Sequence, residues 1–289
     1  MTFTAIILTF ISALCHASWN ILIKKSTNPA LFLALIGLCT TILVFPLAIY
    51  KLLFDTPNTL GFFLIGLTWI LHLGYFTFLG QSYNRSNLNI VYPISRGFGL
   101  LLVQILSILI LKESITLTAI LGSSIIILGI LGVGFLEISQ IFISLRKTKK
   151  IIDRGILLTL LTGLTIACYS LIDKKGSYEV DPFLYVFFVN SASIGVLIPM
   201  IRKFPIQKTK NFFINHWKSL IFASIFQYIG YSLIIICYSF TNLNYISAFR
   251  EISLILGIFL GYFILKENLT FPKILGTSLI ILGAILIAI

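Results

Sequence analysis

Long apolar runs, each closed by charge, proline or asparagine, organise the whole chain. They predict ten helices, at about 3–24, 29–50, 60–83, 89–111, 115–136, 154–173, 182–201, 217–240, 244–265 and 270–288. Each run matches the ~20 apolar residues that carry an α-helix across a hydrocarbon core. The runs show no period-2 alternation and are about twice as long as barrel strands, so pattern and length both exclude a β-barrel. The fold class that follows is an all-α integral membrane protein, with little chain left for any soluble domain.

Composition sharpens this reading. Of 289 residues 58% are hydrophobic and only 10% charged, where a soluble domain carries ~25% charge. A net charge of +12 in a soluble protein would suggest nucleic acid, but here the lysines and arginines occupy short segments between apolar runs. Headgroups and membrane orientation account for them, so the expected partners are the lipid bilayer and a small-molecule substrate, with no nucleic acid. Cys15, Cys39, Cys168 and Cys237 lie inside apolar runs without metal-like spacing, and are expected to be small core residues rather than disulfides or zinc ligands. The first run has no basic n-region and no small-residue cleavage site, so it is expected to be a retained helix.

The chain repeats itself. Tyr92-Pro93-Ile94-Ser95-Arg96 and the turn Leu111-Lys112-Glu113 align with Ile246 through Arg250 and with Leu265-Lys266-Glu267 at a constant offset of 154, which sets Arg96 on Arg250. The same offset sets Leu121-Gly122-Ser123 through Gly129 on Leu275-Gly276-Thr277 through Gly283. Weaker matches pair Asn87-Leu88-Asn89 with Asn242-Leu243-Asn244, Gly74-Tyr75 with Gly230-Tyr231, and Trp19 with Tyr169. Five helices, an odd number, are duplicated, so the second copy must enter the membrane from the opposite side. The expectation is ten transmembrane helices as two inverted five-helix repeats, 1–136 and 154–289, joined by a basic linker over 137–153.

Fifteen of the 21 lysines and arginines fall after helices 1, 3, 5, 7 and 9, four on the other side and two inside helices. The positive-inside rule then puts the linker in the cytoplasm and both termini outside, chiefly on the strength of the loops after helices 5 and 7.

The 5+5 plan, the Leu-Lys-Glu turn before the last helix of each half and the Leu-Gly-x-Ser-x-Ile-Ile face after it resemble the drug/metabolite transporter superfamily, in particular proteins with two EamA-type repeats. The resemblance spans essentially the whole chain and carries no substrate, since members move amino acids, nucleotide sugars, sugar phosphates, cations and drugs. It implies a multi-pass protein of the bacterial inner (cytoplasmic) membrane. Relatives are commonly drawn with cytoplasmic termini, the reverse of the charge count.

Arg96 and Arg250 lie six or seven residues inside their spans, ~10 Å below the ends. Ionisable groups at that depth face a polar cavity or a partner, so the two arginines either line an anionic or zwitterionic substrate's path or tie helices together. Glu251 is the carboxylate placed well inside a helix, while Asp173 and Glu137 are expected at helix ends. It is the proton-coupling candidate, with a permanent ion pair to an arginine as the other reading. His16, Trp19 and Asn20 share one face of helix 1, answered on helix 6 by Tyr169 and Ser170 with Asp173 a turn on. His16 can relay protons or simply pack. Trp69 and His72 on helix 3, Tyr92 near Arg96, and Tyr228 and Tyr231 on helix 8 beside Gln227 and Tyr238 complete the candidate substrate surface, since aromatic faces hold amines, sugars or bases. Trp217 and Tyr50 read as interfacial belt residues. Gly122, Gly129, Gly276, Gly283 and the Gly257/Gly261 pair read as close helix packing, and Glu113 and Glu267 as charges at the helix N-termini that follow them.

No phosphate-binding loop, zinc-protease helix or nucleophile elbow is present, so neither an enzyme nor an ATP-driven pump is expected, and no cofactor. The function expected is secondary active transport of a small polar metabolite by alternating access, coupled to an ion or proton gradient. The alternative is an intramembrane enzyme or flippase acting on a lipid-linked substrate. Monomer and homodimer both remain open.

Overall fold

The computed structural model describes residues 1–83, 85, 88–135, 139, 154–203, 206–266 and 268–289, a range that omits most of the basic linker, with Glu137, as well as Asn84, Ser86, Asn87 and Glu267. The helices are α1 (Phe3–Lys25), α2 (Pro29–Phe54), α3 (Thr59–Tyr83), α4 (Leu88–Leu111), α5 (Leu117–Val133), α6 (Arg154–Glu179), α7 (Pro182–Lys203), α8 (Ile206–Phe240), α9 (Leu243–Phe249), α10 (Ile252–Leu265) and α11 (Phe271–Ala288). The described residues contain no strand. Among the described residues these make ten apolar segments, with α9 and α10 together forming the ninth: eight are long and apolar enough to cross a membrane, and Leu117–Val133 and Pro182–Val196 are shorter apolar helices.

Local chemistry sets the ends. Thr2, Asn28 and Thr116 accept hydrogen bonds from the amides of Ala5, Leu31 and Ala119, and Asp181 Oδ1 accepts from Phe183 and Leu184. Each satisfies donors that a helix start leaves orphaned, typically ~1 kcal/mol per cap. Lys112 and Lys266, at the repeat offset, are the described non-glycine residues with positive φ, 55° and 57°. Lys112 and Lys266 thus both occupy left-handed positions just past a helix end, and the Lys266 amide donates to the Gly261 carbonyl.

The most extensive helix seams between the two halves are α5 on α11, α2 on α7, α1 on α8, and α6 on both α3 and α4. The α5–α11 seam depends on glycine. A Cβ on Gly129 would lie 2.7 Å from the Gly276 carbonyl oxygen and one on Gly122 2.8 Å from that of Gly283, so any larger residue would push the backbones apart. Gly257 differs from this expectation, since nothing lies within 4 Å of where its Cβ would be.

Several spans depart from their expected limits. α6 runs to Glu179, so Asp173 and Lys174 are buried inside a helix instead of lying at its end. Lys174 is satisfied there because its ammonium donates to the Tyr238 and Thr241 carbonyls at the end of α8. α8 begins eleven residues early, at Ile206, since no glycine or proline interrupts residues 206–229. The ninth span breaks at Arg250 and Glu251. There the amides of Glu251, Ser253 and Leu254 bond three residues back, to Ala248, Arg250 and Glu251, a 3₁₀-like tightening of a kind often found at functional hinges. Glu113 does serve a helix N-terminus, but that of α9 and not α5: its carboxylate accepts from the Leu243 and Asn244 amides at 2.7 and 3.3 Å.

Candidate functional site

Side chains from both halves enclose a central cavity of about 600 Å³ of empty space, its mouth included. α1 contributes Ser12, His16 and Trp19, α3 His72, Tyr75 and Phe76, α4 Arg96, and α6 Tyr169. α7 adds Val189 and Asn190, α8 Gln227, Gly230, Tyr231 and Ile234, and Arg250 comes from the break in the ninth span. Seven expected substrate residues thus meet in one place: His16, Trp19, His72, Arg96, Tyr169, Tyr231 and Arg250. The cavity-facing positions on α8, spaced 227, 230, 231 and 234, follow helical periodicity.

Arg96 Nε lies 3.4 Å from Glu251 Oε2, both side chains buried, and neither atom makes a hydrogen bond of proper geometry. Arg96 also reaches His16 Nε2 at 3.5 Å and sits over the Tyr92 ring, 5.7 Å from its centre. Arg250 is 6% exposed. Its neighbours are Arg96 and the hydroxyls of Tyr169, Tyr231 and Tyr238. Among the described residues no carboxylate lies within ion-pair distance of it. Both guanidiniums and Glu251 border a smaller void with Ser170 and Ser247. Arg250 Nε, Ser247 Oγ, Ser253 Oγ and both polar side-chain atoms of Asn244 are buried without a hydrogen-bond partner. At this small void two guanidiniums meet one carboxylate, while the Asp173 carboxylate lies farther off, behind Tyr231 and His72.

The model of the EamA-like transporter family matches residues 153–289. Over these residues the chain is similar to EamA-like transporters. With eight described helices long and apolar enough to cross a membrane, the protein is a multi-pass membrane protein that resembles these transporters over its second part. A solved structure titled "Crystal structure of protein" is similar in fold, with a TM-score of 0.68 at 12% sequence identity, covering 98% of this chain and 96% of that chain. No curated protein matches the chain.

Within the EamA-like half, Asp173 is the residue that sequence reasoning missed. It is fully buried. Its Oδ1 accepts from the hydroxyls of Thr68, at 2.5 Å, and Tyr185, at 2.8 Å, and its Oδ2 from that of Tyr231. His72 Nε2 lies 3.9 Å away. The available signal was Thr68 four residues before His72, a polar pair inside an apolar span. Asn190 carried a similar one, as the amide inside Phe-Phe-Val-Asn-Ser.

The remaining candidates lie off the cavity. The Trp69 indole donates to Ser191 Oγ at 3.1 Å, toward α7. Tyr228 turns to the Phe183 carbonyl at 2.9 Å, leaving Gln227 to face the cavity in its place. Asn20 donates to the His16 carbonyl, and with Tyr92 it borders a void next to the central cavity. Beyond that void lies a roomier, mostly apolar cavity edged by Lys24 and Lys273. Trp217 and Tyr50 are exposed.

Proposed function

We propose that the protein is a secondary transporter that moves a small anionic or zwitterionic metabolite by alternating access between two inverted five-helix halves. The observation that carries this reading is the buried cavity where Arg96, Arg250 and Glu251 converge. A substrate carboxylate or phosphate would neutralise Arg250 and satisfy orphaned donors around the broken ninth span. His16, Trp19, Tyr169 and Tyr231 would bind the rest of the solute, and the voids bordered by Asn20 and Tyr92 would lead it toward Lys24 and Lys273.

Support for the inverted repeat comes from the seams. Under an exchange of halves the α5–α11 and α2–α7 contacts map onto themselves, and α1–α8 maps onto α3–α6. The left-handed caps at Lys112 and Lys266 correspond as well. Residues 1–136 and 154–289 are then the two moving units, joined by the 137–153 linker, which the charge count puts in the cytoplasm of a bacterial inner membrane. Coupling to a proton or ion gradient would run through Glu251.

The test is solute flux into proteoliposomes, with candidate solutes drawn from a thermal-shift screen of amino acids, amines, phosphorylated sugars and nucleotides. Anionic or zwitterionic compounds should stabilise the protein and be taken up. Stabilisation by cationic amines alone, or no flux of any soluble solute, would overturn the reading and favour a lipid-linked substrate.

A further inference from the structure

The His72 imidazole stacks on Tyr169, with ring centres 4.1 Å apart. Its Nδ1 lies 3.0 Å from both the hydroxyl and the backbone carbonyl of Thr68. Because the Thr68 hydroxyl proton already points to Asp173 Oδ1, the Nδ1 proton pairs with the carbonyl. That assigns the tautomer and leaves the Nε2 lone pair facing the Tyr231 hydroxyl at 3.5 Å and Asp173 Oδ2 at 3.9 Å. The Tyr231 hydroxyl proton is committed to Asp173 Oδ2. Nε2 is therefore a buried acceptor beside a buried carboxylate, with no donor of its own.

Resting on the transporter reading above, we infer that His72, backed by Asp173 and Tyr231, is a proton-binding site whose occupancy is linked to anion occupancy of the same cavity. A proton on Nε2 turns this nitrogen into a donor toward Asp173 Oδ2, and the pair becomes imidazolium and carboxylate. The groups around His72 are Tyr169 and Asp173 on α6, Tyr75 and Thr68 on α3, Tyr231 on α8 and Arg250 at the break of the ninth span, with Tyr185 of α7 behind Asp173. His16 and Arg96 face it across the cavity. Burial opposes the added charge, Asp173 at 3.9 Å offsets that cost, and the Arg250 guanidinium in the same cavity adds to it. An anion on Arg250 removes the guanidinium's part of that cost, and by linkage the proton must strengthen anion binding by the same factor. The site is separate from Glu251, which pairs with Arg96.

The experiment is ¹⁵N NMR of the full-length protein in nanodiscs, labelled at histidine and titrated from pH 4 to 9. The three histidines, His16, His72 and His216, are assigned with single His→Gln variants. Wild-type His72 should take up a proton at Nε2 within the range. Asp173→Asn should move its midpoint down by about one pH unit or more, the scale of losing a nearby opposite charge. Tyr231→Phe, which strips one donor from the carboxylate and keeps the ring, should move it up. It also keeps the inference testable if Asp173→Asn does not fold. Glu251→Gln should leave the midpoint within a few tenths of a unit. Added L-glutamate or inorganic phosphate at millimolar concentration should raise it where that probe binds. A His72 that never protonates, or a midpoint indifferent to both Asp173→Asn and Tyr231→Phe, overturns the inference. Flux measured alongside separates the two levels: solute uptake with a silent His72 removes only this site, whereas a titrating His72 without uptake of any solute removes the transporter reading.

Discussion

Arg96 on α4 faces Glu251 at the break between α9 and α10, Nε to Oε2 at 3.4 Å, so the two fourth spans of the chain are joined by opposite charges deep in the protein. This contact uses the carboxylate beside Arg250, and in the proposed mechanism that arginine receives the substrate's anionic group. Arg250→Ala should therefore reduce transport about 10- to 100-fold, the worth of one charge-assisted contact at ~1.5–3 kcal/mol. The exposed Ser124 bonds only its own helix, and Ser124→Ala should leave transport unchanged. Uptake is compared at equal folded amount in the membrane; equal rates for wild type and Arg250→Ala would deny Arg250 a place on the substrate path.

Glycine in the α5–α11 seam offers a test of packing independent of transport. Gly129→Leu must displace the Gly276 backbone or Ile280, and overpacking of this kind costs ~1–3 kcal/mol or more. A fall in the detergent melting temperature and in membrane yield is expected. Gly257→Ala has open space around its added methyl and gains up to ~1 kcal/mol of helix propensity, so its melting temperature should hold or rise. Equal loss in both variants would show that the seam has no special demand for glycine.

Much of this was legible because hydrophobic length and repetition act locally. The ten helices follow from the length of the apolar runs, the Arg96–Arg250 correspondence from the constant offset of 154, and the helix 1 face of His16 and Trp19 from spacing along one helix. What stayed hidden depended on contacts between distant segments. Asp173 and Lys174 read as a helix end because charge ordinarily stops a span; their burial rests on hydroxyls of α3, α7 and α8 and on carbonyls at the end of α8. The same holds for Trp69 and Tyr228, whose partners lie on α7. The break in the ninth span also left no proline or glycine at 250–251 to announce it.

Glu113 crosses from the first half to cap α9 in the second. Glu113→Ala would orphan two amides and remove a negative charge from a helix N-terminus, together about 1–2 kcal/mol. Thermal unfolding should shift down accordingly. Glu113→Gln keeps one acceptor oxygen and should recover part of the loss. If alanine and glutamine behave like wild type, the cap carries no stability.

Orientation has a separate measurement. A single cysteine at Thr148, introduced into a cysteine-free background, should resist an impermeant maleimide in intact cells and react after permeabilisation. That result follows from fifteen basic residues on the linker's side. Ready labelling of intact cells would invert the orientation without touching the fold.

The Arg96–Glu251 pair allows two roles for its carboxylate, and one substitution separates them. Glu251→Gln imitates the protonated acid in size and hydrogen bonding. If Glu251 must gain and lose a proton in each cycle, the glutamine variant should lose uptake driven by a pH gradient. It should retain counterflow, because exchange of substrate across the membrane needs no net proton movement. If the pair is purely structural, glutamine leaves Arg96 buried without its counter-charge, a change that typically costs ~3–5 kcal/mol. Folded protein, uptake and counterflow should then fall together. Normal pH-driven uptake in a well-folded Glu251→Gln variant would exclude both roles. It would also mean that Arg96 finds a sufficient partner in His16, 3.5 Å from its guanidinium, and that the proton is carried elsewhere in the cavity.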